Sequence, residues 1–154
     1  MFAQYKWYHR LFFILSFLIL AAATVYLIAV YGKIDTEIPT HFNSQGKVDA
    51  YGSKSTLLLP LLMGWIVCAL IAIIGTQPEL WNTGVRVTVL NQARIYSIIR
   101  TMLSILTFSI SSFFSCLTVC AAQNRDLPVM VLPVFIVLIF GTIIVSVIRL
   151  IRNR

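Results

Sequence analysis

LFFILSFLILAAATVYLIAVY, residues 11–31, decides the fold: 21 residues pass without one charged side chain. At about 1.5 Å per residue, a helix of that length crosses the ~30 Å hydrocarbon layer of a bilayer. Lys6 and Arg10 precede the run and Ala21-Ala22-Ala23 resembles a cleavage site, so a signal peptide has to be weighed. The apolar sequence continues through 25–30, beyond the length of signal h-regions, and the segment reads as a retained span.

Three further apolar runs follow, at 57–75, 98–122 and 127–148. Gly75-Thr76-Gln77-Pro78 breaks the chain after the second, and Arg125-Asp126 makes so short a connection between the last two that they pair as antiparallel neighbours. The composition agrees, because 59% hydrophobic with 11% charged residues lies far from the balance of a soluble domain. The reading is all-α: a four-span transmembrane helical bundle, one membrane domain over 1–154, with a loop at 32–56 and a second polar segment at 76–97.

Of the 12 Lys and Arg residues, eight fall on the side of the N-terminus and four (Lys33, Lys47, Lys54 and Arg125) on the other. Positive residues collect on the cytoplasmic side, so both termini are expected inside and the 32–56 loop outside. The net charge of +7 is spread over the ends of apolar runs, the pattern membrane insertion requires, which argues against a nucleic-acid partner. The lipid bilayer is the partner that composition implies, and a homo-oligomer stays open.

Local signals refine the spans. Pro60 costs little if its helix starts near Thr56, whereas Pro133 is expected to kink the fourth span. Thr88 is positioned to cap a helix that begins at Val89 and runs into the third span, longer than the membrane is thick. Ser97, Ser104, Ser111 and Thr118 recur every seven residues; such a stripe lets helix backbones approach and hydrogen-bond across an interface, or lines a permeation path, and packing is favoured. His9, beside Trp7 and Tyr8, reads as part of an interfacial aromatic belt. Cys68, Cys116 and Cys120 lie inside apolar runs and form no disulfide framework; Cys116 and Cys120 are spaced as a metal pair, but buried small hydrophobes account for them.

The outer loop contains IPTHFNSQGKVDAYGSK, residues 38–54. Ser44-Gln45-Gly46-Lys47 reads as a turn and Tyr51-Gly52-Ser53-Lys54 as a second, leaving His41, Asn43 and Asp49 displayed from two short arms. One chemistry is a cation site from Asp35, Glu37, Asn43, Asp49 and His41, yet one His is poor for zinc and the spacing is not that of a calcium loop. A second is acid–base work by His41 oriented by Asp49, without a defined nucleophile. The third is a rigid cap over the bundle. No cofactor is implied beyond that weak divalent-cation case, no residue is assigned as catalytic, and an enzyme is disfavoured.

The motif P-T-H-F-N-x-x-G-x-x-D-x-Y-G-S-K, from Pro39 to Lys54, resembles the signature of a bacterial membrane domain found at the N-terminus of SdpI-type immunity proteins. Pro78, Asn82, Val87-Thr88, Asn91, Tyr96, Arg100, Met102 and Leu103 resemble that family's stretch between its second and third spans. Asn82-Thr83-Gly84 stands where the family has N-Y-P, and Val89-Leu90 where it has acidic residues. The resemblance covers roughly 30–105 and implies a short relative in the bacterial plasma or inner membrane. Its function would be toxin resistance or sensing, with a toxin peptide or envelope ligand as partner.

The expected ligand-binding residues are therefore His41, Asn43, Asp49 and Lys54 on the outer face. Asn82, Asn91, Tyr96 and Arg100 are expected to form a separate cytoplasmic polar cluster, with ~30 Å of bilayer between the two groups. The alternative is a metal-assisted membrane enzyme or small transporter using His41, Asn43 and Asp49. No charge falls within 11–31, 57–75, 101–122 or 127–148, which argues against ion-coupled transport.

Overall fold

The computed structural model describes residues 6–154. Four helices are long and apolar enough to cross a membrane: α1 (Trp7–Val30), α2 (Leu58–Thr76), α3 (Gln92–Ala122) and α4 (Val131–Arg152). The chain is thus a predominantly helical protein built for several membrane crossings. The loop adds an element absent from an all-α reading, a β-hairpin of β1 (Glu37–Phe42) and β2 (Val48–Ser53). Tyr51-Gly52-Ser53, read from sequence as a turn, is the end of β2, and the chain turns only in the short 3₁₀ segment Lys54–Leu57.

α3 is the hub. It packs against α1, α2 and α4, whereas α1 and α2 touch each other less and α4 leans chiefly on α3. Its sequence explains the role: Ser104, Thr107, Ser109, Ser111, Ser115 and Thr118 are all buried, and small side chains let three helices approach one axis. The hydroxyls mostly do not bridge helices as expected. Thr107, Ser109 and Thr118 donate to carbonyls of their own helix four residues back, which removes the polar cost of burying them. Cross-helix bonds come instead from His9 to Thr101 (Nε2···Oγ1 2.9 Å) and from Trp65 Nε1 to Thr24 Oγ1 (3.0 Å). His9 is fully buried, so it ties α1 to α3 rather than standing in the interfacial belt.

Two helix starts depart from expectation for identifiable reasons. α3 begins at Gln92, not Val89, because Thr88 and Asn91 satisfy each other first. Asn91 Oδ1 accepts the Thr88 N–H at 2.7 Å, and the Thr88 carbonyl accepts from Gln92 N at 2.9 Å. α4 begins at Val131, which places Pro133 in its first turn, where no intrahelical N–H bond is lost; the expected kink has no cause there. Pro60 sits likewise in the first turn of α2.

Candidate functional site

The hairpin lies across the bundle end where α1 and α3 finish and α2 and α4 start. Ile38 and Pro39 of β1 are buried there, with Ile38 in the apolar cluster of Leu20, Leu27, Leu57, Leu61 and Ala121. Burying one such side chain is worth ~1.5–3 kcal/mol, enough to hold a short hairpin that water alone leaves marginal. The ladder shifts register between Pro39 and His41 and again between His41 and Phe42. Those irregularities, next to a proline that cannot donate to a ladder, swing His41 to the exposed side.

There His41 Nδ1 lies 2.5 Å from Asp49 Oδ1, with both side chains open to solvent. An ionised carboxylate only accepts, so Nδ1 carries the hydrogen and Nε2 of a neutral ring is left as an acceptor. Asn43 has a structural task. Its Oδ1 accepts the N–H groups of Gln45 (2.9 Å) and Lys47 (3.0 Å), and its backbone closes the turn through Gly46 N (2.9 Å). Lys54 is set apart from this trio, at the other end of the hairpin, with Nζ 5.1 Å from the centroid of the Tyr31 ring. Of the four expected ligand residues, one pair is in contact, one builds the turn and one anchors the base.

Sequence reasoning missed the group that fixes the hairpin tip. Asp126 Oδ1 accepts the Val48 N–H at 3.0 Å, and its Oδ2 meets Lys47 Nζ at 3.1 Å. Beside it, Leu127 N donates to the Gly46 carbonyl at 2.8 Å. α3 sets up this latch by its ending. Asn124 takes φ 52°, Arg125 N reaches back to Cys120 O and Asn124 N to Ala121 O, a Schellman stop that turns Asp126 toward the hairpin. The signal was available only in part: the connections 32–56 and 125–126 fall at the same end of an up-down bundle, which brings Asp126 near the loop's lysines without selecting Lys47.

The Val48 N–H, then the Lys47 ammonium, hold the Asp126 carboxyl below its ordinary range. A depressed carboxylate pKa stabilises the folded state above the unfolded value and loses that contribution as pH falls through the folded one. Hydrogen exchange at Val48 is therefore expected to accelerate in acid, below the usual carboxylate range, and in Asp126→Asn to become insensitive to pH there beyond the intrinsic chemistry. An unchanged acid response in that variant would remove Asp126 from the latch.

Beneath β1 the latch leaves a cleft of about 410 Å³. Phe113, Leu117 and Ala121 of α3 form its wall, Leu59 and Leu132 flank it from the starts of α2 and α4, and His41 and Asn43 stand at its polar edge. An apolar cavity of this size with few polar groups is the form of a small-ligand or side-chain site. Among the described residues no group of three or more His, Cys, Asp and Glu is arranged to hold a metal ion.

The other expected cluster is dispersed at the opposite end. Tyr96 and Arg100 meet through Trp81, which stacks edge-on with Tyr96 (5.3 Å) and lies 5.6 Å from the Arg100 guanidinium. Asn91 joins Asn153, and Asn82 accepts from Gly84 N within its own turn. No curated protein and no solved structure matches this chain. Residues 18–64, which run from the middle of α1 through the hairpin into α2 and carry His41, Asn43, Asp49 and most of the cleft's β1 and α2 lining, match the model of a domain of unknown function (DUF1648).

Proposed function

We propose that this chain is a non-enzymatic, multi-pass protein of a bacterial plasma or inner membrane, with both termini cytoplasmic and the hairpin outside. In this reading it takes an immunity-like or sensing role by recognising a membrane-active toxin peptide or an amphipathic envelope ligand. The cleft beneath β1 carries the reading: an apolar hollow at a membrane-facing end, edged by His41 and Asn43. An amphipathic ligand satisfies both parts, placing an apolar side chain or tail against Leu117 and Phe113 and a polar group near the His41–Asp49 pair. The resemblance of the 39–54 motif to SdpI-type immunity proteins supports the same direction, and the distribution of Lys and Arg supports the orientation.

The test expresses the full chain in a sensitive host, with native cysteines replaced and Gln45→Cys labelled on intact cells to read the side of the hairpin. The cells are then challenged with a membrane-active peptide toxin of the kind such immunity proteins counter. Protection is expected from the parent chain and its loss from Leu117→Trp, which fills the cleft, at equal membrane abundance. Equal killing with and without the protein sinks the immunity reading. Label that enters only after permeabilisation reverses the orientation.

A further inference from the structure

At the end away from the hairpin a second cavity, of about 530 Å³, is lined by Lys6, Tyr8, Arg94, Ser97, Arg149 and Asn153, among others. Three cations reach it from three different segments: the start of α1, the start of α3 and the end of α4. Asn153 fixes one of them, Arg94. Its Oδ1 accepts from Arg94 Nη1 at 2.8 Å, its Nδ2 donates to the Arg149 carbonyl at 2.6 Å, and its own carbonyl accepts from Asn91 Nδ2 at 3.3 Å. Among the described residues the ion pairs are His41–Asp49 and Lys47–Asp126, both on the hairpin side, so no carboxylate neutralises Lys6, Arg94 or Arg149.

The backbone adds to the field. α1 and α3 both start at this end with no acidic residue in the first turn, and the carboxyl end of α4, with Arg149 and Arg152 in its last turn, lies beside them. Tyr8 and Ser97 supply hydroxyls, and Ile98 extends the lining toward the apolar part of α3. Cations, hydroxyls and apolar side chains in one lining suit a phosphate group attached to an acyl-chain body.

We propose that this cavity binds the phosphate headgroup of an anionic phospholipid, with Lys6 and Arg149 as its charge partners and Arg94, fixed by Asn153, as its geometric anchor. The binding is independent of whatever occupies the cleft under the hairpin. Basic pockets between membrane helices gain affinity for anionic headgroups by roughly fivefold per cation.

The experiment places the full chain in nanodiscs of phosphatidylcholine in which phosphatidylglycerol is the minor lipid. Native mass spectrometry of the released protein then counts retained lipids. Phosphatidylglycerol is expected to be enriched over phosphatidylcholine, with apparent affinity falling about thirtyfold in the double variant K6Q/R149Q. Charge-retaining K6R/R149K is expected to bind as the parent does, which separates lost binding from lost folding. R152Q, an exposed cation on the same helix end outside the cavity lining, is expected to change little. An equal loss in R152Q and in single R149Q, or no enrichment in the parent, overturns the site. In a second arm, sn-glycerol phosphate or inorganic phosphate is added to pure phosphatidylcholine discs; binding as tight as the lipid's overturns the lipid assignment.

Discussion

Gly46→Val is expected to free the hairpin tip from the α3–α4 connection and to cost about 3 kcal/mol, from the price of left-handed backbone plus the hydrogen bonds it displaces. Gly46 sits at φ 78°, where a β-branched residue is strained wherever it stands. Space is denied as well: a Cβ there would lie 2.3 Å from the Leu127 carbonyl oxygen. The valine must push residue 127 away, and with it go the Leu127 N–H bond to Gly46 and the adjoining Asp126 bond to Val48. Hydrogen–deuterium exchange should show faster labelling together at 43–48 and 124–128, with α3 unaffected. Parent-like protection in both segments would mean that the latch contributes nothing.

The second large effect is expected at Gly64, where α2 packs against both α1 and α3. A Cβ at this position would stand 2.7 Å from Leu20 Cδ2 and 3.3 Å from Phe114 Cβ. Leu20 is fully buried in the apolar cluster with Ala23, Leu27 and Leu61, so any rotation must displace packed neighbours. On an exposed helix face, replacing glycine by alanine gains ~1 kcal/mol in propensity; here overpacking of ~1–3 kcal/mol opposes that gain and wins. Gly64→Val, with two more methyl groups on the same face, should lose about 3 kcal/mol. Reversible unfolding in mixed micelles of a mild detergent with dodecyl sulfate reads both variants. A Gly64→Ala chain more stable than the parent would show that α2 is not in close contact here.

The spans were legible because apolar length alone identifies them. Residues 11–31, 57–75, 98–122 and 127–148 overlap the four helices, and the discrepancies fall at the ends, where local hydrogen bonds decide. Thr88 was recognised as a helix-start residue, but the reciprocal Thr88–Asn91 bonding that delays the helix to Gln92 depends on where Asn91 points, which periodicity does not encode. The 44–47 turn was readable from Gly46, whereas Tyr51-Gly52-Ser53 has turn composition and became strand because Glu37, Ile38 and Pro39 pair with it. His9 looked interfacial from its neighbours Trp7 and Tyr8; only the helical rotation that aims it at Thr101 buries it. In the candidate site, the His41–Asp49 pairing was legible from spacing, while Asp126 and Trp81 act across long sequence separations and left no local trace.

The bond between Val48 and Asp126 joins residues 78 apart in the chain. A ribosome delivers Val48 long before Asp126, so the nascent hairpin must wait, unclamped, while the two later helices are made and threaded. Closing so long a loop adds little entropy cost over a short one, because the penalty grows only with the logarithm of length. The delay is one of timing. Leu127 and Leu132, which complete the cleft, are synthesised after every other residue of its lining. A chain interrupted before α4 therefore displays an unfinished pocket, and the hollow beneath β1 is a mark of completed biogenesis.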